Sequence, residues 1–77
     1  MKFTLHDTFN DRTVSVHRSI KTAVRASYRF SRAVRRANGK DSFIPTQIRC
    51  DGKRLDEDQQ TLEAAYRIKW EIETRRA

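Results

Sequence analysis

Near the start of the chain, apolar and polar positions alternate with period two: Phe3 and Leu5 interleave with Lys2, Thr4 and His6, and Val14 and Val16 with Thr13, Ser15 and His17. Successive side chains of an extended backbone point to opposite faces, so each stretch is expected to form a half-buried strand. Asn10-Asp11 between them offers turn chemistry, and the two strands are expected to pair as a hairpin. With that turn at the centre, Leu5 lies opposite Val16 on the inner face and His6 and His17 both point outward. The period then changes. Ile20, Ala23, Val24, Ser27, Phe30 and Val34 share one face of an α-helix, widened by Ala26, Ala33 and Ala37. Ser19 suits the N-cap and Asn38-Gly39 the left-handed residues that close a C-terminus, and neither Pro nor Gly interrupts the run. A helix from Ser19 to about Ala37 follows.

Ile44, Thr46, Ile48 and Cys50 share the face of a third strand, which Pro45 places at an edge or just after a loop. Asp51-Gly52 marks a tight turn returning through Lys53, Arg54 and Leu55 in a short fourth strand. Asp56-Glu57-Asp58 reads as the acid-rich start of a brief helix or turn through Leu62 and Ala65, with carboxylates at the positive end of the helix dipole. Tyr66, Ile68, Trp70 and Ile72 then alternate with Arg67, Lys69, Glu71 and Glu73, which predicts a closing strand with Trp70 as core mass. The Glu and Ala residues upstream also suit a longer helix. Cys50 is expected to act as a small, partly buried apolar residue.

These elements describe one α+β domain over residues 1–77, a small two-layer domain with a mixed sheet of four to five strands packed on one long amphipathic helix. The order resembles a ubiquitin-like β-grasp. MKFTLHDTFNDRTVSV matches the opening hairpin, IPTQIRCDGKRL the strand and turn after the helix, and DQQTLEAAYRIKWEIETRR the closing turn and strand. The chain ends Arg75-Arg76-Ala77, without the Gly-Gly that conjugated members of that group need, so the resemblance implies a fold and no transfer to lysines. A two-layer α/β sandwich with another strand order is the competing architecture.

Charge changes the picture more than composition does. Nine Lys or Arg residues and no acid lie between Arg12 and Lys40, and the rest of the chain holds eight cations against all ten acids. The net charge of +7 therefore comes from that segment alone. Lys21, Arg25, Arg29, Arg32 and Arg36 fall within roughly an 80° arc of the helix, opposite its apolar face, and form a basic stripe about 22 Å long. Arg18 and Arg35 flank the stripe, and Tyr28 sits on its margin, where an aromatic ring can stack on a base or pack against an Arg. A solvated charged face is the alternative reading, although such faces ordinarily mix acids among their cations.

A chain of this length buries one modest core, which disfavours a large enclosed active site and a small-molecule substrate. The single Cys50 permits no intrachain disulfide and suits a reducing cytoplasm. The first residues carry no apolar run of signal-peptide or membrane length, so no membrane partner is expected. No cofactor and no metal site is expected, since His6 and His17 lack a third ligand. The same two histidines would be needed as acid and base for metal-free RNA cleavage, the weakest of three readings. The leading one is a non-enzymatic module that binds DNA, RNA or a nucleoprotein complex through phosphate contacts to Arg18, Lys21, Arg25, Tyr28, Arg29, Arg32, Arg35 and Arg36. The other is a small inhibitor or adaptor, of the kind phages and mobile elements encode, docking on an acidic or nucleic-acid-binding surface of a host complex.

Overall fold

The computed structural model describes residues 1–75; Arg76 and Ala77, which complete the terminal sequence noted above, lie outside the described residues. Strands β1 (Phe3–Asp7) and β2 (Arg12–His17) form the first hairpin, followed by helix α1 (Ile20–Asn38), strands β3 (Thr46–Cys50) and β4 (Lys53–Arg54), and helix α2 (Glu57–Arg75). The sheet runs β2-β1-β3-β4, and every neighbouring pair is antiparallel. The chain is thus two consecutive strand-strand-helix units whose first strands, β1 and β3, meet at the centre. The α+β class and the four-stranded sheet on a long amphipathic helix are as expected. The sheet is antiparallel throughout and not mixed, and the closing segment expected as a further strand is helical. The order is completed without a closing strand, so the β-grasp resemblance stops before the last element.

The core forms where α1 crosses the sheet. Phe3, Leu5, Ile48 and Leu55 from the sheet side meet Ile20, Ala23 and Val24 from α1, and Val14, Phe30, Cys50 and Tyr66 pack around them. Leu5 and Ala23 are wholly buried. The thiol of Cys50 is free and half-buried against this cluster. The N-cap of α1 is Ser19, whose Oγ accepts from Thr22 N at 3.3 Å. Gly39 closes the other end with φ +108°, its N–H donating to Arg35 O at 2.8 Å. Asp51 and Gly52 both take positive φ, 51° and 80°, which a two-residue turn between β3 and β4 requires.

The first hairpin departs from simple alternation. The carboxylate of Asp7, fully buried, accepts from Phe9 N and Asn10 N at 2.9 Å and from Asn10 Nδ2 at 2.8 Å. Asp11 follows with φ 50°. The turn held this way displaces the register by one, and the pairing shifts between Leu5↔Ser15 and His6↔Thr13, leaving Val14 as the extra residue of a β-bulge. Leu5 therefore lies opposite Ser15, not Val16. Val16 turns out to solvent at 55% exposure, and His17 comes to the core face opposite Phe3. His6 stays on the other face but is buried, with Nε2 2.9 Å from Asp11 Oδ1.

The closing segment is helix, not strand. Asp56 and Gln59 form a reciprocal capping box, Gln59 N donating to Asp56 Oδ1 at 2.8 Å and Asp56 N to Gln59 Oε1 at 3.0 Å. Glu57 and Asp58 occupy the first turn, and Gln, Leu, Ala, Glu, Arg and Lys, all good helix formers, carry the run onward. Under helical geometry the four alternating apolar residues split into two i, i+4 pairs. Tyr66 and Trp70 face α1, and Ile68 and Ile72 face away. Tyr66 joins the core cluster, so α2 lies beside α1 on the same side of the sheet, consistent with a domain only 18 Å thick in its shortest direction.

Candidate functional site

The basic stripe exists as a surface. On α1 the residues packed inward are Ile20, Ala23, Val24, Ser27 and Val34, which directs Lys21, Arg29, Arg32 and Arg36 to solvent, where all four are exposed. Arg18 and Arg35 are exposed beside them. Among the described residues the ion pairs are His6–Asp11, Arg12–Asp7 and Arg67–Glu63, so none of the stripe cations has a carboxylate within pairing distance. Like charges held in a row without counter-charges raise the local positive potential and favour any anion that can reach several of them together.

Arg25 and Tyr28 have a different setting from the rest, because α2 packs along that edge of α1. The Trp70 ring stacks on Tyr28 with centroids 5.7 Å apart and planes inclined by 22°. Arg25 sits over the Trp70 ring at 5.9 Å and Arg67 over the Tyr28 ring at 5.8 Å, giving cation–π contacts at both aromatics. Arg67 also donates from Nη1 to the buried Ser27 Oγ at 3.1 Å, and Tyr28 Oη donates to Glu71 Oε1 at 3.3 Å. Arg25 is accordingly half-buried. The Tyr28 ring, on the stripe's margin in the sequence, packs against Trp70 and Arg67, both from α2. Trp70 is the anchor of one helix on another rather than mass in a strand.

His17, expected to point outward, lies instead on the core face near Arg29, a placement that sequence reading missed. On the core face of β2 its Nε2 lies 2.7 Å from Ser15 Oγ, and burial, then the positive charge of Arg29, holds its pKa below the usual 6.5. It therefore borders the stripe at Arg29 as a neutral imidazole near pH 7. The pairing His17↔Phe3 is the signal, and it depends on the bulge, which alternation alone does not reveal. His6 and His17 occupy opposite faces of the sheet, so the structure does not bring them together as an acid–base pair. Among the described residues no group of three or more His, Cys, Asp or Glu is placed to hold a metal ion, and no helix is long and apolar enough to cross a membrane.

Two large apolar side chains stand out elsewhere. Phe9 in the first turn and Phe43 before β3 are each 77% exposed, in loops joined by bonds from Thr8 N and Thr8 Oγ1 to Pro45 O at 3.1 and 3.2 Å. Compared with known protein families, with curated proteins and with solved structures, the chain shows no match.

Proposed function

We propose that this domain is a non-enzymatic module that binds nucleic acid through the backbone phosphates, using the exposed flank of α1. The observation that carries this reading is the row of exposed Lys21, Arg29, Arg32 and Arg36, unpaired among the described residues and spanning about 22 Å along one rigid helix. Arg18 and Arg35 extend it sideways, and Arg25 stands behind it on Trp70. A helix ridge of this length meets several phosphates along a groove or strand, and contacts of that kind position a protein without reading bases. Tyr28 is excluded as a stacking platform while Trp70 and Arg67 hold its ring, so low sequence specificity follows. The partner is DNA, RNA or a nucleoprotein complex, met in a reducing cytoplasm that suits the free Cys50.

The test is charge reversal at exposed positions. Arg29→Glu with Arg32→Glu should weaken binding to a mixed-sequence duplex at least tenfold in an electrophoretic shift while the circular dichroism spectrum stays unchanged. Equal affinity in the double variant would sink the reading.

A second reading, an adaptor or inhibitor that docks on a protein, is favoured by Phe9 and Phe43, since exposed aromatics are the usual anchors of protein interfaces. Pull-downs from lysate with and without nuclease separate the two. A partner retained after nuclease and lost on Phe9→Ala with Phe43→Ala supports the adaptor.

A further inference from the structure

The side of α2 facing away from α1 carries a second helical seam. Asp58, Thr61, Ala65, Ile68, Ile72 and Arg75 recur at alternating intervals of three and four residues, the spacing that keeps one helix face against another helix. All six are exposed, Ile68 at 60% and Ile72 at 50%. The half-buried residues Gln59, Glu63, Tyr66 and Trp70 follow the same spacing on the opposite side, where Tyr66 and Trp70 pack toward α1, so among the described residues α2 is covered on that side and open on the other.

We propose that this seam is a self-association surface on which a second copy of the chain docks α2 antiparallel to α2, about a two-fold axis between Ala65 and Ile68. In that register Ala65 meets Ile68 of the second copy, Thr61 meets Ile72, and Asp58 meets Arg75. Each small or polar residue faces a large or opposite one, as a self-complementary two-fold interface requires. Sliding one helix by seven residues sets Asp58 against Ile68 in one direction and Arg75 against Ala65 in the other, losing the charge pairing either way. A parallel pair would oppose Asp58 to Asp58 and Arg75 to Arg75. Beside the seam, Leu62 lies next to Lys69 of the second copy and Ala64 next to Glu71, so no like charges meet. Charge selects the face as well. Within residues 57–75 there are five acids and three bases, a net of −2, whereas α1 carries six cations and no acid. Two copies of a molecule with a charge of +7 therefore approach with least repulsion through α2.

A single helix pair is a small interface, so the dimer should dissociate somewhere between about 1 and 500 µM. Sedimentation equilibrium of the whole chain, without nucleic acid, should show mass rising from monomer to dimer across that range. Ile68→Glu with Ile72→Glu should leave a monomer throughout with an unchanged circular dichroism spectrum. Asp58→Arg or Arg75→Asp alone should weaken the dimer on the order of tenfold, and the two together should restore it. A wild-type chain monomeric throughout overturns the proposal, even if some other protein binds the same face. So does a dimer indifferent to the Ile68 and Ile72 changes, and failure of the charge swap to rescue overturns the antiparallel register.

Discussion

The buried carboxylate of Asp7 accepts three hydrogen bonds from the turn that follows it, and that cage sets where the next strand begins to pair. The bonds from the Asn10 side chain and backbone lead, joined by Phe9 N–H and the charge of Arg12; together they outweigh burial and hold the Asp7 pKa below its ordinary 3.8. As pH falls the unfolded chain is protonated first, so the stabilisation is complete above about pH 4 and is lost as pH drops through the folded value. Asp7→Ala should therefore lower the melting temperature by roughly 5 °C or more at neutral pH, with a gap to wild type that narrows by pH 3. A constant gap across that range would assign the effect to packing instead. His17 has the same sign by a different route, since burial and Arg29 disfavour its charged form and stability declines as pH falls below 6.5. An anion seated on Arg29 removes the second of those causes. If α1 binds phosphate, the His17 imidazole should titrate at higher pH with oligonucleotide present, and affinity should grow as pH falls below 6.5. An NMR titration of the His17 ring that does not move on binding would place the anion elsewhere.

At the scale of elements, the two helices differ in what their sequences reveal. In α1 the apolar residues and the cations each obey one period and lie on opposite faces, so its extent, its cap at Ser19 and its stripe were all legible. In α2 the residues Tyr66, Ile68, Trp70 and Ile72 alternate as a strand would, and only helical geometry divides them between α1 and solvent. The capping box Asp56–Gln59 was the local signal for helix, outweighed by four alternating residues. Because α2 was misread, its effects on the stripe were not legible: the half-burial of Arg25 and the capture of Tyr28 both come from it. Trp70 makes the joint, with an aromatic pair worth roughly 1 kcal/mol beyond the area it buries. Trp70→Ala should cost about 2–3 kcal/mol, less than a fully buried Trp because the ring is half-exposed, and should reduce helical ellipticity as α2 loosens. Trp70→Phe, which keeps a ring against Tyr28, should recover most of that loss in thermal melts; an equal loss in both would mean the indole does more than stack.

Across the whole molecule the charge is divided between helices rather than spread. The α1 flank carries six cations with no acid, while α2, net acidic, packs along one edge of the stripe without pairing with any of its cations among the described residues. Such a surface predicts more than attraction: it predicts how attraction responds to salt. If the exposed Lys21, Arg29, Arg32, Arg35 and Arg36 each neutralise one phosphate of a duplex, five counterions are displaced, and the logarithm of affinity should fall against the logarithm of salt with a slope of about −4.5. Raising salt from about 50 to 200 mM then weakens binding on the order of 500-fold. Arg29→Glu with Arg32→Glu removes two of those contacts and should make the slope shallower by about 2, beyond lowering affinity. Single-stranded nucleic acid should give a slope shallower by roughly a fifth, because its charges are less dense. A slope near zero would mean that binding does not run through the stripe, and would leave the exposed Phe9 and Phe43 as the better guide to what this domain holds.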